Sequence, residues 1–143
     1  MSSIVRKAGP EDFGSVVAFL REDGYPIEVN PADTFYVAVE HDVMIGVVRL
    51  AREFQHTVLR GMRVAPSTQR QGVGTRLLQL VQEDLVDTDC YCLPYTHLID
   101  FFAQIGFRVV DPHDAPAHLS RRIAGYQAHA AGAQFALMYR PHH

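Results

Sequence analysis

The clearest chemistry in the chain lies in Gln69-Arg70-Gln71-Gly72-Val73-Gly74-Thr75, a segment between a strand-like run and a helical one. A helix N-terminus exposes main-chain N–H groups that attract an anion, and glycines let a phosphate approach the backbone closely. The plainer alternative is a tight turn whose two glycines only satisfy dihedral demands. The segment is not a dinucleotide fingerprint, because the third glycine of GxGxxG is missing. It is not a P-loop either, since no GxxxxGK followed by Ser or Thr occurs. It reads as a phosphate cradle of another kind.

The elements around it follow from periodicity and breakers. Residues 4–7 predict a strand. Pro10 opens a helix whose first turn carries Glu11 and Asp12, and Phe13, Val16, Val17 and Leu20 form its buried face. Gly24, Pro26, Asn30 and Pro31 make residues 23–33 a loop, placed to serve as a lid or substrate wall. Residues 34–39 and 43–50 predict two strands joined as a hairpin by Glu40-His41-Asp42. Residues 52–56 read as a polar turn, and 57–64 as a strand with a bulge at Gly61. Leu77, Leu78, Val81 and Leu85 predict a helix over 75–85. Beyond it come a strand at 89–93, a short helix at 98–105 capped by Gly106, and a strand at 107–110. A short helix over 119–126, a linker or loose helix at 128–133 and a closing strand at 135–139 complete the chain. This order predicts an α/β (α+β) fold: a mixed, mostly antiparallel central sheet of six or seven strands flanked by helices.

Composition narrows the function. The 143 residues suit one domain, 1–143, and 48% apolar content supplies its core. Thirteen basic against 16 acidic residues, with Lys7 the only lysine, argue against a nucleic-acid partner. No apolar run is long enough to span a membrane, and none follows Arg6 and Lys7 to make a signal peptide. Cys90 and Cys92 are read as pointing to opposite faces of one strand, awkward for a disulfide, so a reduced, cytoplasmic protein is expected. With no second cysteine pair, no metal site is expected. The exposed edges of the closing strand make a homodimer a reasonable expectation.

Val58-Leu-Arg-Gly-Met-Arg-Val64-Ala-Pro66, followed by Gln69-Arg-Gln-Gly72-Val-Gly74-Thr-Arg-Leu77-Leu78, resembles the coenzyme A-binding motif of the GNAT N-acetyltransferases. Phe101-Phe102-Ala-Gln-Ile-Gly106-Phe107 resembles that family's second signature, F-Y-x-x-x-G-F. The stretch from Thr96 through Pro116 is most similar to the acetyltransferase domain of N-acetylglutamate synthases and their small relatives. The resemblance implies acetyl-CoA as acyl donor and a small-molecule primary amine as acceptor, an amino acid or amino-acid-like amine leading, with cationic partners such as ribosomal tails or polyamines also open. It implies that amides of Arg70, Gln71, Gly72, Val73, Gly74 and Thr75 receive the pyrophosphate and that Gln69 shapes the cradle. Backbone of Met62, Arg63 and Val64 would pair with the pantetheine arm where two strands splay, a role that also gives freed sheet backbone its partners. Arg76 is read either as a phosphate contact or as a solvated helix-end side chain.

Acetyl transfer to an amine requires removal of the amine's proton and protonation of a departing thiolate. The family's tyrosine donor is replaced by Phe102, so Tyr95, after the strand at 89–93, is the candidate acid. Glu53 and His56 are the candidate bases, and Glu28 and Asp33 candidate recognition charges for the amine. Cys92 offers a covalent route that burial in a strand would disfavour. An acyl-CoA-binding module without catalysis is the alternative reading.

Overall fold

The computed structural model describes residues 3–22, 30–69, 71–129 and 132–142. Most of the expected loop over 23–33, with Glu28, therefore lies outside the described residues, as does Arg70. The chain forms two compact units, Met1–Asp84 and Leu85–His143.

The first unit holds β1 (Ser3–Lys7), α1 (Phe13–Glu22), β2 (Thr34–Glu40), β3 (Val43–Glu53), β4 (His56–Val64) and α2 (Val73–Glu83). Its strands pair antiparallel in chain order. Both long hairpins turn in two residues, His41-Asp42 and Phe54-Gln55, all four with left-handed φ between 47° and 71°. Two-residue hairpin loops favour that conformation because its twist matches the strands. The second turn is shorter than expected: β3 runs on to Glu53 and β4 begins at His56, so the polar character of 52–56 belongs mostly to strand ends. Gly61, φ 66°, stands where the β3–β4 register shifts, and the expected bulge is there.

Alternation sorts the sheet's faces. Phe35, Val37 and Val47 pack on Val16 and Leu20 of α1, with Phe13 edge-on to Phe35 at 6.0 Å. The opposite face meets α2. There Gly46 is required, because a Cβ would stand 3.2 Å from Leu77 and 3.3 Å from Val73. Leu77, Leu78 and Val81 are fully buried, and truncating one such leucine to alanine costs about 2–5 kcal/mol. Polar ties close the unit's edge. Lys7 Nζ lies 2.8 Å from Asp84, the Tyr36 hydroxyl donates to the same carboxylate at 2.5 Å, and Arg76 donates to the Ser3 hydroxyl and carbonyl at 2.6 and 3.0 Å. Arg76 thus holds β1 to α2.

The second unit holds β5 (Cys90–Cys92), α3 (Ile99–Ala103), β6 (Arg108–Val109), α4 (Ala117–His129) and β7 (Met138–Arg140), with β7 antiparallel to both β5 and β6. The three strands are shorter than their apolar runs, and the last helix extends to 13 residues. Gly106 has φ 99°, as a residue closing a helix end requires. Cys90 and Cys92 face the same way, not opposite ways: residues two apart share a strand face, and both thiols are buried. Arg140 is fully buried and braces the unit, donating from Nε to the Ile105 carbonyl at 2.5 Å and from Nη1 to that of Leu85 at 2.9 Å. Four strands in one unit and three in the other give seven among the described residues, every pairing within a unit antiparallel. The expectation was six or seven.

Candidate functional site

The chain from the end of β4 to α2 is pinned at each step. The Ala65 N–H donates to the Ile45 carbonyl at 2.7 Å, and the Thr68 hydroxyl and N–H both donate to the Ala65 carbonyl. Gln69 Nε2 donates to the Val64 carbonyl at 3.2 Å, tying the loop to the strand end. Arg63 Nη1 donates to the Met62 carbonyl at 3.0 Å. The Gln71 N–H is used inside the turn, on the Thr68 carbonyl at 3.3 Å. Gly72 then takes φ 79° at the N-cap of α2, a left-handed conformation that costs other residues about 1–2 kcal/mol.

That cap leaves main-chain donors ahead of the helical ladder. The first main-chain bond of the helix runs from the Arg76 N–H to the Gly72 carbonyl, so the amides of Val73, Gly74 and Thr75 precede the helical ladder. Among the described residues no side chain caps them, and no atom lies within 4 Å of where a Gly72 Cβ would stand. Unsatisfied N–H groups, the positive end of a helix dipole and open space above a glycine fit a pyrophosphate. The main-chain donors ahead of the helical ladder are thus those of Val73, Gly74 and Thr75, with Gln69, Gln71 and Gly72 in the turn before them.

Glu53 and His56 meet as a cross-strand pair flanking the Phe54-Gln55 turn. They stand at the opposite end of β4 from Val64, and the six steps from His56 to Met62 span roughly 20 Å of extended strand. Glu53 reaches back along the sheet, its Oε2 accepting from Arg60 Nη1 at 3.0 Å. Arg60 is the direct cross-strand partner of Arg49, and Arg49 Nη1 donates to Asp33 at 3.1 Å. Two carboxylates and two guanidiniums therefore gather on the α1 face, where Arg49 also pairs in register with Phe35. The Arg49 and Asp33 side chains are 5% and 8% exposed, those of Arg60 and Glu53 28% and 13%. Burial pushes the Asp33 carboxyl above its ordinary range, against the pull of Arg49 and Arg60. Sequence reasoning selected Asp33 and Glu53 but missed Arg49 and Arg60. The signal was an arginine two residues after Val47, on the apolar face of a strand.

Tyr95 belongs to the second unit, 42% exposed between β5 and α3. It bridges to Phe135 and stacks between that ring at 4.6 Å and His97 at 5.6 Å. Phe102 is buried, edge-on to Phe101 and Phe107, and has no proton to give. Cys92 is buried, and burial, followed by neighbouring Cys90, drives its thiol well above the usual range. That disfavours the thiolate a covalent route needs. Among the described residues no cluster of His, Cys, Asp and Glu could hold a metal ion, and no helix is long and apolar enough to cross a membrane.

Comparison with known proteins bears on this geometry. Residues 4–107 match the family described as "Acetyltransferase (GNAT) family". No match to a curated protein sequence is found. Among solved structures, N-acetylglutamate synthase from Neisseria gonorrhoeae, complexed with coenzyme A and N-acetyl-glutamate, aligns with TM-score 0.69 at 16% identity. The alignment covers 100% of this chain but 36% of that one, so the chain spans about a third of the synthase's length. A GNAT-family acetyltransferase from Streptococcus pneumoniae aligns at TM-score 0.72 and 14% identity, covering 99% of this chain and 100% of that one. Arabidopsis thaliana Naa50, in complex with a bisubstrate analogue, aligns at 0.69 and 15%, covering 98% and 99%. At these identities the likenesses show the fold.

Proposed function

The chain belongs to the acetyltransferase (GNAT) family, and from that premise we propose that it transfers the acetyl group of acetyl-CoA to the primary amine of an amino acid or amino-acid-like small molecule. The observation that carries this reading is the N-terminus of α2: amides without a side-chain cap, a left-handed glycine and open space where a pyrophosphate would sit. When bound there, acetyl-CoA supplies an acyl group already activated as a thioester. The amides of Val73, Gly74 and Thr75 hold the pyrophosphate, and an N–H near Val64 stabilises the oxyanion. The acceptor ammonium must lose its proton before it attacks, and Glu53 and His56, at the far end of β4 from Val64, are not placed to take it there. Transfer is direct, in a ternary complex, and alignment of the two reactants supplies much of the rate.

The test is a mass-spectrometric acetylation screen over amino acids, polyamines, aminoglycosides and peptide N-termini with acetyl-CoA as donor. Acetylated amino acids are the expected product. Turnover confined to polyamines, aminoglycosides or peptides would refute the acceptor class. The buried Phe102, at the tyrosine position of the F-Y-x-x-x-G-F motif the segment resembles, favours a second reading, an acyl-CoA-binding module without catalysis. Tight acetyl-CoA binding with no product from any amine would select it.

A further inference from the structure

Two side chains of the first unit change what the end of β4 offers to a ligand. Arg63 pairs with Val47, and its carbonyl lies 3.4 Å from where a Cβ on Gly46 would stand, so that carbonyl faces β3. Two residues on, the Ala65 N–H donates to the Ile45 carbonyl of β3 at 2.7 Å. The C=O and N–H of one peptide unit point opposite ways, and successive units of a strand alternate. The Met62 carbonyl, the Val64 N–H and the Val64 carbonyl therefore all point away from β3. A bare strand edge offers donors and acceptors in alternation, as an added strand requires. Here both acceptors already hold a donor from their own chain. Arg63 Nη1 donates to the Met62 carbonyl at 3.0 Å, and Gln69 Nε2 to the Val64 carbonyl at 3.2 Å. The Val64 N–H lies between those two carbonyls, on a half-buried residue.

We propose that Arg63 and Gln69 are positioning residues for the acyl oxygen of the donor: each holds one of the carbonyls flanking the Val64 N–H, and that N–H is left to read the thioester oxygen. The site then distinguishes an acyl thioester from a thioether of the same size. This rests on the acetyltransferase reading above and adds two side chains to it. A carbonyl turned the same way as a neighbouring N–H repels an oxygen approaching that N–H. A donor on each carbonyl draws charge away from it, and the Arg63 guanidinium adds a fixed positive charge beside the site. When the amine adds, the carbonyl π pair moves onto the acyl oxygen. When the C–S bond breaks the pair returns, and the sulfur leaves as thiolate with the bonding electrons. Charge on the oxygen is greatest between those two events, so the arrangement acts most strongly there.

The test is calorimetric titration of acetyl-CoA and of S-ethyl-CoA, which keeps the two-carbon group but lacks the oxygen. The proteins are wild type, Arg63→Met, Arg63→Lys and Gln69→Met, each first shown to be folded by thermal unfolding. Wild type is expected to bind the thioester about 5-fold more tightly than the thioether, the worth of one hydrogen bond. Arg63→Met and Gln69→Met should shrink that ratio to within about 2-fold, with S-ethyl-CoA affinity held at the wild-type value. Arg63→Lys, which keeps a charged donor, should stay near the wild-type ratio. With an acceptor that is acetylated, kcat should fall by about 10-fold in Arg63→Met, part of what losing an oxyanion donor outright costs. Parallel weakening of both ligands in the Met variants would make the two side chains braces of the loop and overturn the proposal. Equal binding of the two ligands by wild type would overturn it as well, with the acetyltransferase reading left intact. A wild-type protein that binds neither ligand would sink both.

Discussion

Replacing Gly72 by alanine separates the cost to the fold from the cost to the ligand. The backbone at 72 has φ 79°, so an alanine there is strained by about 1–2 kcal/mol. Nothing else in the described protein resists it, since its methyl would meet no atom within 4 Å. At about 2.1 cal/mol/K per residue, unfolding 143 residues carries roughly 0.3 kcal/mol/K of entropy, so the strain lowers Tm by about 3–7 °C. The ligand effect has a different origin. In the proposed cradle the methyl would narrow the open space through which a pyrophosphate approaches the amides of Val73 and Gly74. Losing one charge-assisted hydrogen bond costs about 1.5–3 kcal/mol, which raises Kd by about 10- to 150-fold. Calorimetric titration of acetyl-CoA into the variant, well below its Tm, reads the second number, and thermal unfolding without ligand reads the first. The methyl meets no atom of the described residues within 4 Å, so backbone strain is the one structural cost, and the thermal measurement reads it separately. Wild-type affinity in a folded Gly72→Ala protein would refute the phosphate cradle.

Gly125 in α4 is also open around its Cα, but its φ is not left-handed, so Gly125→Ala should raise stability by about 0.5–1 kcal/mol in urea unfolding. Arg140→Met keeps much of the volume but leaves the Ile105 and Leu85 carbonyls without their donors, and should cost about 3 kcal/mol by the same assay. Asp12, bonded twice by Arg6 and once by the Gly9 N–H, is held down to about 2 from 3.8. A depressed carboxyl stabilises fully above its unfolded value and loses that contribution as pH falls through the folded one. The shift sets a ceiling of about 2.5 kcal/mol, which solvent screening at the half-exposed Arg6 reduces to about 1. Urea midpoints measured between pH 5 and pH 2 should therefore fall less steeply in Asp12→Asn than in wild type.

The elements were legible where period and breakers agreed. Leu77, Leu78 and Val81 announced α2, and Gly61 announced the bulge. Shorter strands at β5, β6 and β7 were not, because apolar runs record burial and not main-chain pairing: Phe107, Ala136 and Leu137 are buried outside any ladder. The loop at Gly72 was legible because glycine at a left-handed cap is a local requirement. The charge cluster was not, because Arg49 and Arg60 are brought together only by β3–β4 register, which a bulge resets. For the same reason Glu53 and His56 seemed near Val64 along the chain, whereas hairpin geometry sends them to the far end of β4. The two cysteines were misassigned by parity alone: a separation of two keeps a strand face.

The clamp formed by Lys7, Asp84 and Tyr36 has a chemical corollary. Lys7 is the only lysine in the sequence, so it carries the only ε-amine on the chain. That amine sits 2.8 Å from the Asp84 carboxylate and 6.0 Å from the centre of the Tyr36 ring, engaged within the fold. If the proposed function holds, a protein that works beside a reactive acyl donor presents a single lysine side chain for that donor to modify. Its cations are otherwise guanidiniums, which stay protonated and do not take up acetyl groups under the same conditions. Inertness toward self-acylation is in this way written into the choice of arginine over lysine across the surface.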